Sequence, residues 1–137
     1  MGDRTSVTLE VPQVCKDQAI DILGGEPQEV YQNEGIFEAR WDEVNYGGES
    51  EHQQLVTRGI SHILTWADGG SYGPGSVVYN GQSSYEVSFL FDEECAVVPV
   101  DLDGTVNAIE LANVLSYYQA VRQLRNLAEP SQRQTTG

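Results

Sequence analysis

The chain has 137 residues, enough for one domain with a core of its own. Its 21 acidic against 7 basic side chains give a formal charge of −14, which excludes a surface that seeks phosphate backbones or anionic lipid. An apolar share of 39% excludes a disordered chain, and no apolar run approaches the roughly eighteen residues of a helical membrane span.

In chain order, Ser6–Val11 alternates and sets Val7, Leu9 and Val11 on one face of a strand, which Pro12 stops. Val14–Leu23 has helical spacing with Ala19, Ile20 and Leu23 on one side, and Gly24-Gly25 ends it. A short extended piece around Val30-Tyr31 leads through an Asn33-Glu34-Gly35 turn into Ile36–Trp41. That strand sets Phe37, Ala39 and Trp41 against Glu38 and Arg40. Asn45–Gly48 is turn chemistry, and Ser50 with Gln53 has the spacing of a capping box for a helix to about Arg58. Ile60–Trp66 reads as a strand, and residues 68–75, with four glycines and a proline, as a loop.

Val77–Tyr79 and Tyr85–Phe91 flank Asn80-Gly81, a hairpin signal. Ala96–Val100 reads as a further short strand. Val106 to about Ala128 lacks Gly and Pro, and Leu111, Val114 or Leu115, Tyr118, Val121 and Leu124 form its apolar stripe. The expected fold is α+β: a mainly antiparallel sheet of about five to six strands, two short helices and one long C-terminal helix. Residues 1–130 make the single domain and 131–137 a polar tail. Without a basic, apolar leader, and with only Cys15 and Cys95, the chain is expected in the cytoplasm.

The charge is blocked. Residues 17–51 hold ten acids and only Arg40 as a base, and residues 86–110 hold seven acids and no base. From residue 111 the sign reverses, with Arg122, Arg125 and Arg133 against Glu129. Such blocks steer basic partners.

Motifs for chemistry are weaker. Val97–Val106 resembles the Asp-x-Asp-Gly-Thr strand end of haloacid-dehalogenase-type phosphatases, in which Asp101 would attack phosphorus and Asp103 would shuttle the proton. The 34 residues after Asp103 contain neither Lys nor Asp, so that family's later lysine and acidic pair have no counterpart. The same letters lack the Gly and Glu spacing of a calcium loop. His52 and His62, ten residues apart, match no zinc signature. No metal, cofactor or catalytic residue is assigned, and the chain is read as a binding protein rather than an enzyme.

Habitat in high salt, plain solubility and nucleic-acid mimicry each account for the acidity. Under mimicry, carboxylates on a strand repeat at about 6.6–7 Å, a spacing suited to phosphates along one nucleic-acid strand. The contact residues expected are Glu34, Glu38, Asp42 and Glu43, the Asp92-Glu93-Glu94 run, and Tyr72 on its glycine-rich loop.

The segments Phe37-Glu-Ala-Arg, Asn45-Tyr-Gly-Gly, Gly59-Ile and Tyr72-Gly-Pro-Gly resemble small acidic anti-defence proteins borne by phages and plasmids, anti-CRISPR-like or anti-restriction-like. The resemblance covers about the middle third of the chain. It implies an inhibitor acting in the host cytoplasm on a basic nucleic-acid-binding complex, touching neither nucleic acid nor membrane itself. The alternative is a regulatory or structural module that dimerises through residues 106–128. A phosphohydrolase through Asp101 and Asp103 ranks last.

Overall fold

The computed structural model describes residues 4–69, 73–90 and 95–127, apart from the side chains of Gln32 and Leu127. Six strands, β1 (Arg4–Pro12), β2 (Glu29–Asn33), β3 (Ile36–Asn45), β4 (His62–Trp66), β5 (Gly75–Tyr79) and β6 (Ser84–Ser88), form one sheet in the order β2-β3-β1-β4-β5-β6. Every neighbouring pair is antiparallel. Three α-helices accompany the sheet among the described residues: α1 (Lys16–Leu23), α2 (Glu49–Thr57) and α3 (Ala108–Leu127). The α+β architecture expected from the sequence is the one observed.

Alternation divides the side chains between two apolar clusters. Val7, Leu9 and Val11 of β1, Phe37, Ala39 and Trp41 of β3, Leu64 of β4 and Val77 of β5 meet Ala19 and Ile22 of α1 and Leu55 of α2. Ile63 of β4, Val78 of β5 and Val87 of β6 meet Val114, Tyr117, Val121 and Leu124 of α3. So α1 and α2 cover one face and α3 the other. Nine-residue β1 sits at the centre, pairing with β3 on one side and β4 on the other.

Several local expectations are corrected. Helix α1 buries Ala19 and Ile22, with Ile20 and Leu23 only partly covered, and Val14 stands 90% exposed in a 3-10 turn before the helix. Helix α2 starts at Glu49 with Gly48 as its N-cap, and Ser50 lies inside the first turn, where its Oγ accepts from Gln54 Nε2 at 3.4 Å. The chain enters α2 through Tyr46, Gly47 and Gly48, all left-handed, a path that suits glycine better than a serine cap. A Cβ on Gly47 would lie 3.0 Å from Trp66 Cγ.

The next strand begins at His62 rather than Ile60. The hairpin loop runs over four residues, with Asn80 Oδ1 accepting from the amides of Gln82 and Ser83 at 2.8 Å each. Strand β6 ends at Ser88, and Phe91 lies outside the described residues.

Residues 96–100 form no strand; single bridges join Phe89 to Ala96 and Val100 to Val106. Pro99 lacks the amide a ladder needs, and its carbonyl instead accepts from Asn107. Helix α3 is capped by Asn107, whose Oδ1 accepts from the Glu110 amide at 3.0 Å. Its buried face is Val114, Tyr117, Ala120, Val121 and Leu124, whereas Leu111 and Leu115 face solvent. Tyr118 sits beside that face, its hydroxyl accepting from the Ala96 amide at 3.1 Å.

Candidate functional site

Helix α3 lies over β4–β6, and the half-sheet β2-β3-β1 on the same face carries polar side chains instead of a core. Register sets Thr8, Arg40 and Glu29 in one rung and Glu10, Glu38 and Tyr31 in the next. Glu10 directly opposes Glu38, a repulsive arrangement on its own. It is relieved at one end by Arg125 of α3, which donates from Nε and Nη2 to the two Glu10 carboxylate oxygens at 3.0 and 2.8 Å. At the other end Asn33 Nδ2 donates to Glu38.

Arg40 holds the outer rung. Its Nη1 lies 2.9 Å from Glu29 and its Nε 3.1 Å from Asp42, and Ser6 Oγ donates to Asp42 at 2.9 Å. The Asp42 carboxylate holds Arg40 still more firmly protonated. The Tyr31 hydroxyl donates to Glu29 at 3.0 Å, and desolvation followed by the nearby Glu29 charge raises its pKa.

Among the residues expected at a partner surface, Glu34 and Glu38 line one shallow cleft with Glu10 and Arg125. Asp42 is on the same face but already held by Arg40 and Ser6, so its charge is partly spent. Glu43, exposed and left-handed at φ 58°, stands further along β3. Tyr72, Asp92, Glu93 and Glu94 lie outside the described residues. The first acidic block is therefore divided by the fold. Glu29, Glu34, Glu38, Asp42 and Glu43 belong to the β2–β3 half, whereas Asp17, Asp21, Glu49 and Glu51 ride on the helices of the opposite face.

The phosphatase-like letters form a tight turn. The Asp101 amide donates to the Thr105 carbonyl at 2.8 Å, and the Asp103 carboxylate accepts from the Thr105 amide at 2.9 Å. Hydrogen bonds from Thr105 lower the Asp103 pKa. Both aspartates are exposed. Among the described residues no three or more His, Cys, Asp or Glu side chains gather as a metal site would require.

The opposite face holds a cluster that sequence spacing did not disclose. His62, fully buried on β4, places Nε2 2.8 Å from Nδ1 of His52 on α2, and its own Nδ1 lies 2.8 Å from the Ile60 carbonyl. The Tyr79 ring packs against His62 at a tilt, with ring centroids 5.8 Å apart. Burial lowers the pKa of both histidines, that of His62 to about 4. Beside the pair is a cavity of about 410 Å³ that His52 lines with Tyr46, Glu49, Gln53, Trp66 and Glu86. Desolvation, then the charge of Glu49, raises the Glu86 pKa.

The sequence signal for this cluster was available. His62 falls on the inward phase of β4 with Leu64, and His52 lies three residues before inward Leu55. A larger cavity of about 460 Å³, between Pro12, Val14, Ile36, Ala120 and Leu124, has no ionisable group in its walls.

The chain matches no family model, no curated protein and no solved structure.

Proposed function

We propose that this chain is a non-catalytic inhibitor of a host nucleic-acid-binding defence complex. It presents the β2-β3-β1 half-face as a phosphate-like surface to a basic groove, acting in the cytoplasm of a cell hosting a phage or plasmid. The carrying observation is the uncovered half-sheet itself. Glu29, Glu38 and Asp42 stand on adjacent antiparallel strands, Glu10 beside them is the one that Arg125 of α3 covers, and Glu34 and Glu43 have no ion-pair partner among the described residues. Acidic rungs about 4.8 Å apart across strands and 6.6–7 Å apart along them suit an Arg- and Lys-lined channel.

The test is capture from bacterial lysate followed by a salt series and competition against labelled DNA. Supporting results are a nucleic-acid-binding complex released as salt rises and DNA displaced with one-to-one stoichiometry. Loss of capture on replacing Glu34, Glu38 and Glu43 together by Gln belongs to the same outcome. Capture indifferent to salt and to those replacements overturns the reading.

One observation favours a second reading, self-association through the C-terminal region. Val100, Leu102, Ile109 and Leu115 are respectively 60%, 110%, 81% and 59% exposed, at the start of α3 and in the turn before it. Sedimentation of the wild type and of Ile109→Glu with Leu115→Glu tests this: a dimer that the pair of replacements converts to monomer supports it, and a wild-type monomer at high concentration overturns it.

A further inference from the structure

The hydrogen-bond polarity of the histidine pair is fixed from one end. The Ile60 carbonyl can only accept, so Nδ1 of His62 carries the proton and its Nε2 is a lone pair. The 2.8 Å contact then requires His52 Nδ1 to donate, which leaves His52 Nε2 as an acceptor as well. Burial keeps both rings neutral near pH 7, so this tautomer chain is the working state. His52 is 9% exposed and lines the cavity, and its Nε2 has no partner among the described residues.

The charged groups of the cavity wall have the same polarity. Glu49, three residues before His52 on α2, and Glu86, from β6, have no cation partner among the described residues. No lysine or arginine lines the cavity. Trp66 and Tyr46 supply the flat apolar faces, and Trp66 is held by its Nε1 donating to the Gly73 carbonyl at 3.1 Å. Two carboxylates, one ring-nitrogen acceptor and two aromatic rings therefore converge on a space of about 410 Å³.

We propose that this cavity binds a guanidinium group, either the arginine side chain of a protein partner or a free small guanidine. A guanidinium offers a planar fan of N–H donors, carries a permanent charge and tolerates stacking on aromatic faces. Gln53, Ser84 and Tyr46 could donate to an anion, but it would face two carboxylates and no cationic side chain, and a neutral apolar ligand would leave both carboxylates desolvated. The site lies on the sheet face opposite the acidic half-face, so its success or failure is separate from that of the proposed inhibitory surface.

The experiment is a titration of the folded chain with arginine amide, a Gly-Arg-Gly peptide with blocked ends, lysine amide and citrulline amide. It is followed by calorimetry and by the ¹⁵N shifts of the His52 ring. The expected result is saturable one-to-one binding of an arginine probe with a shift at His52 Nε2, and no binding of citrulline, which keeps the shape without the charge. Glu86→Gln, at an exposed position, should weaken binding about tenfold or more, the loss expected when a charge-assisted hydrogen bond is removed. Glu49→Gln serves as an independent second variant. Equal binding of arginine amide and the peptide assigns a free guanidine, and binding of the peptide alone assigns a partner's side chain. No binding up to about 10 mM, equal affinity for lysine amide, or affinity unchanged in both variants overturns the proposal.

Discussion

On one face of the sheet, Val7, Leu9 and Val11 of β1 are fully buried beneath α1 and α2. On the other, the same strand offers Thr8 and Glu10, and it is tied to α3 through a salt bridge to Arg125. One strand thus carries a stability-determining surface and a surface that the core does not need. The difference shows where sequence is free to serve a partner: a residue on the β2-β3-β1 half-face can change charge without opening a cavity.

The widest separation should come from truncating one side chain on each face. Leu9→Ala should cost about 2–5 kcal/mol, the range for a large-to-small change in a packed core. Thr8→Ala, at a half-buried position of the central strand, should cost about 1 kcal/mol or less. Denaturant midpoints measured at unchanged slope would compare the two directly. Equal losses would erase the distinction.

Acid should strike the helix-covered face next. The folded pKa of His62 is below its unfolded value of about 6.5, so its neutral form is the stabilising one. Stability is complete above pH 6.5 and falls as the pH drops towards about 4, by about 3 kcal/mol in total, because only the unfolded chain takes up the proton in that window. His52, Glu49, Glu86 and Tyr79 are the titratable groups around it. Lowered His52 acts in the same direction, and Glu86, raised, opposes it in the lower part of the window. Unfolding followed from pH 7.5 to 4.5 should show the slope, and His62→Asn should flatten it whatever its own stability.

On the charged face, Glu10→Gln should cost about 1–3 kcal/mol, because it takes the counter-charge from a bidentate pair whose carboxylate is only 9% exposed. A loss well below that in a thermal melt would make Arg125 a solvated tether rather than a structural one. Glu34→Gln or Glu43→Gln should leave stability within about 0.5 kcal/mol and weaken a captured basic partner by less than about 1 kcal/mol each. Surface-plasmon measurements at two salt concentrations would separate these effects. Asp101→Asn should be the smallest of all, within about 0.5 kcal/mol in stability.

Much of the fold was legible because its signals are local. Period-two alternation marked β1 and the start of β3, and the absence of Gly and Pro marked α3. What escaped depended on tertiary contacts. Tyr117 and Ala120, not Leu111 and Leu115, face the sheet because α3 packs across β5 and β6 in a rotation that its own hydrophobicity does not dictate. Ala96–Val100 is apolar enough for a strand but adds only single bridges. At the acidic face, Glu34 and Glu38 were foreseeable as neighbours around a turn, whereas the capture of Asp42 by Arg40 depends on side-chain geometry. The two histidines meet only because α2 folds back onto β4, and a separation of ten residues conceals it.

The central position of β1 has a consequence for how the chain comes together in time. Strands β2–β3 and β5–β6 are joined by two and four residues and β4–β5 by eight, so each pair can form as soon as it is made, because closing loops of that length costs little chain entropy. Strand β1 is synthesised before any of its partners, yet its second neighbour, β4, lies more than fifty residues downstream. It can pair with β3 first, but its other edge stays open until β4 has been made. Assembly should therefore be limited by the docking of the earliest-made strand, a step of long sequence separation and correspondingly slow rate. A nascent chain stalled before residue 62 would hold the three-stranded half-sheet β2-β3-β1 with β1 lacking one edge, and that exposed edge is where mispairing between unfinished copies would begin.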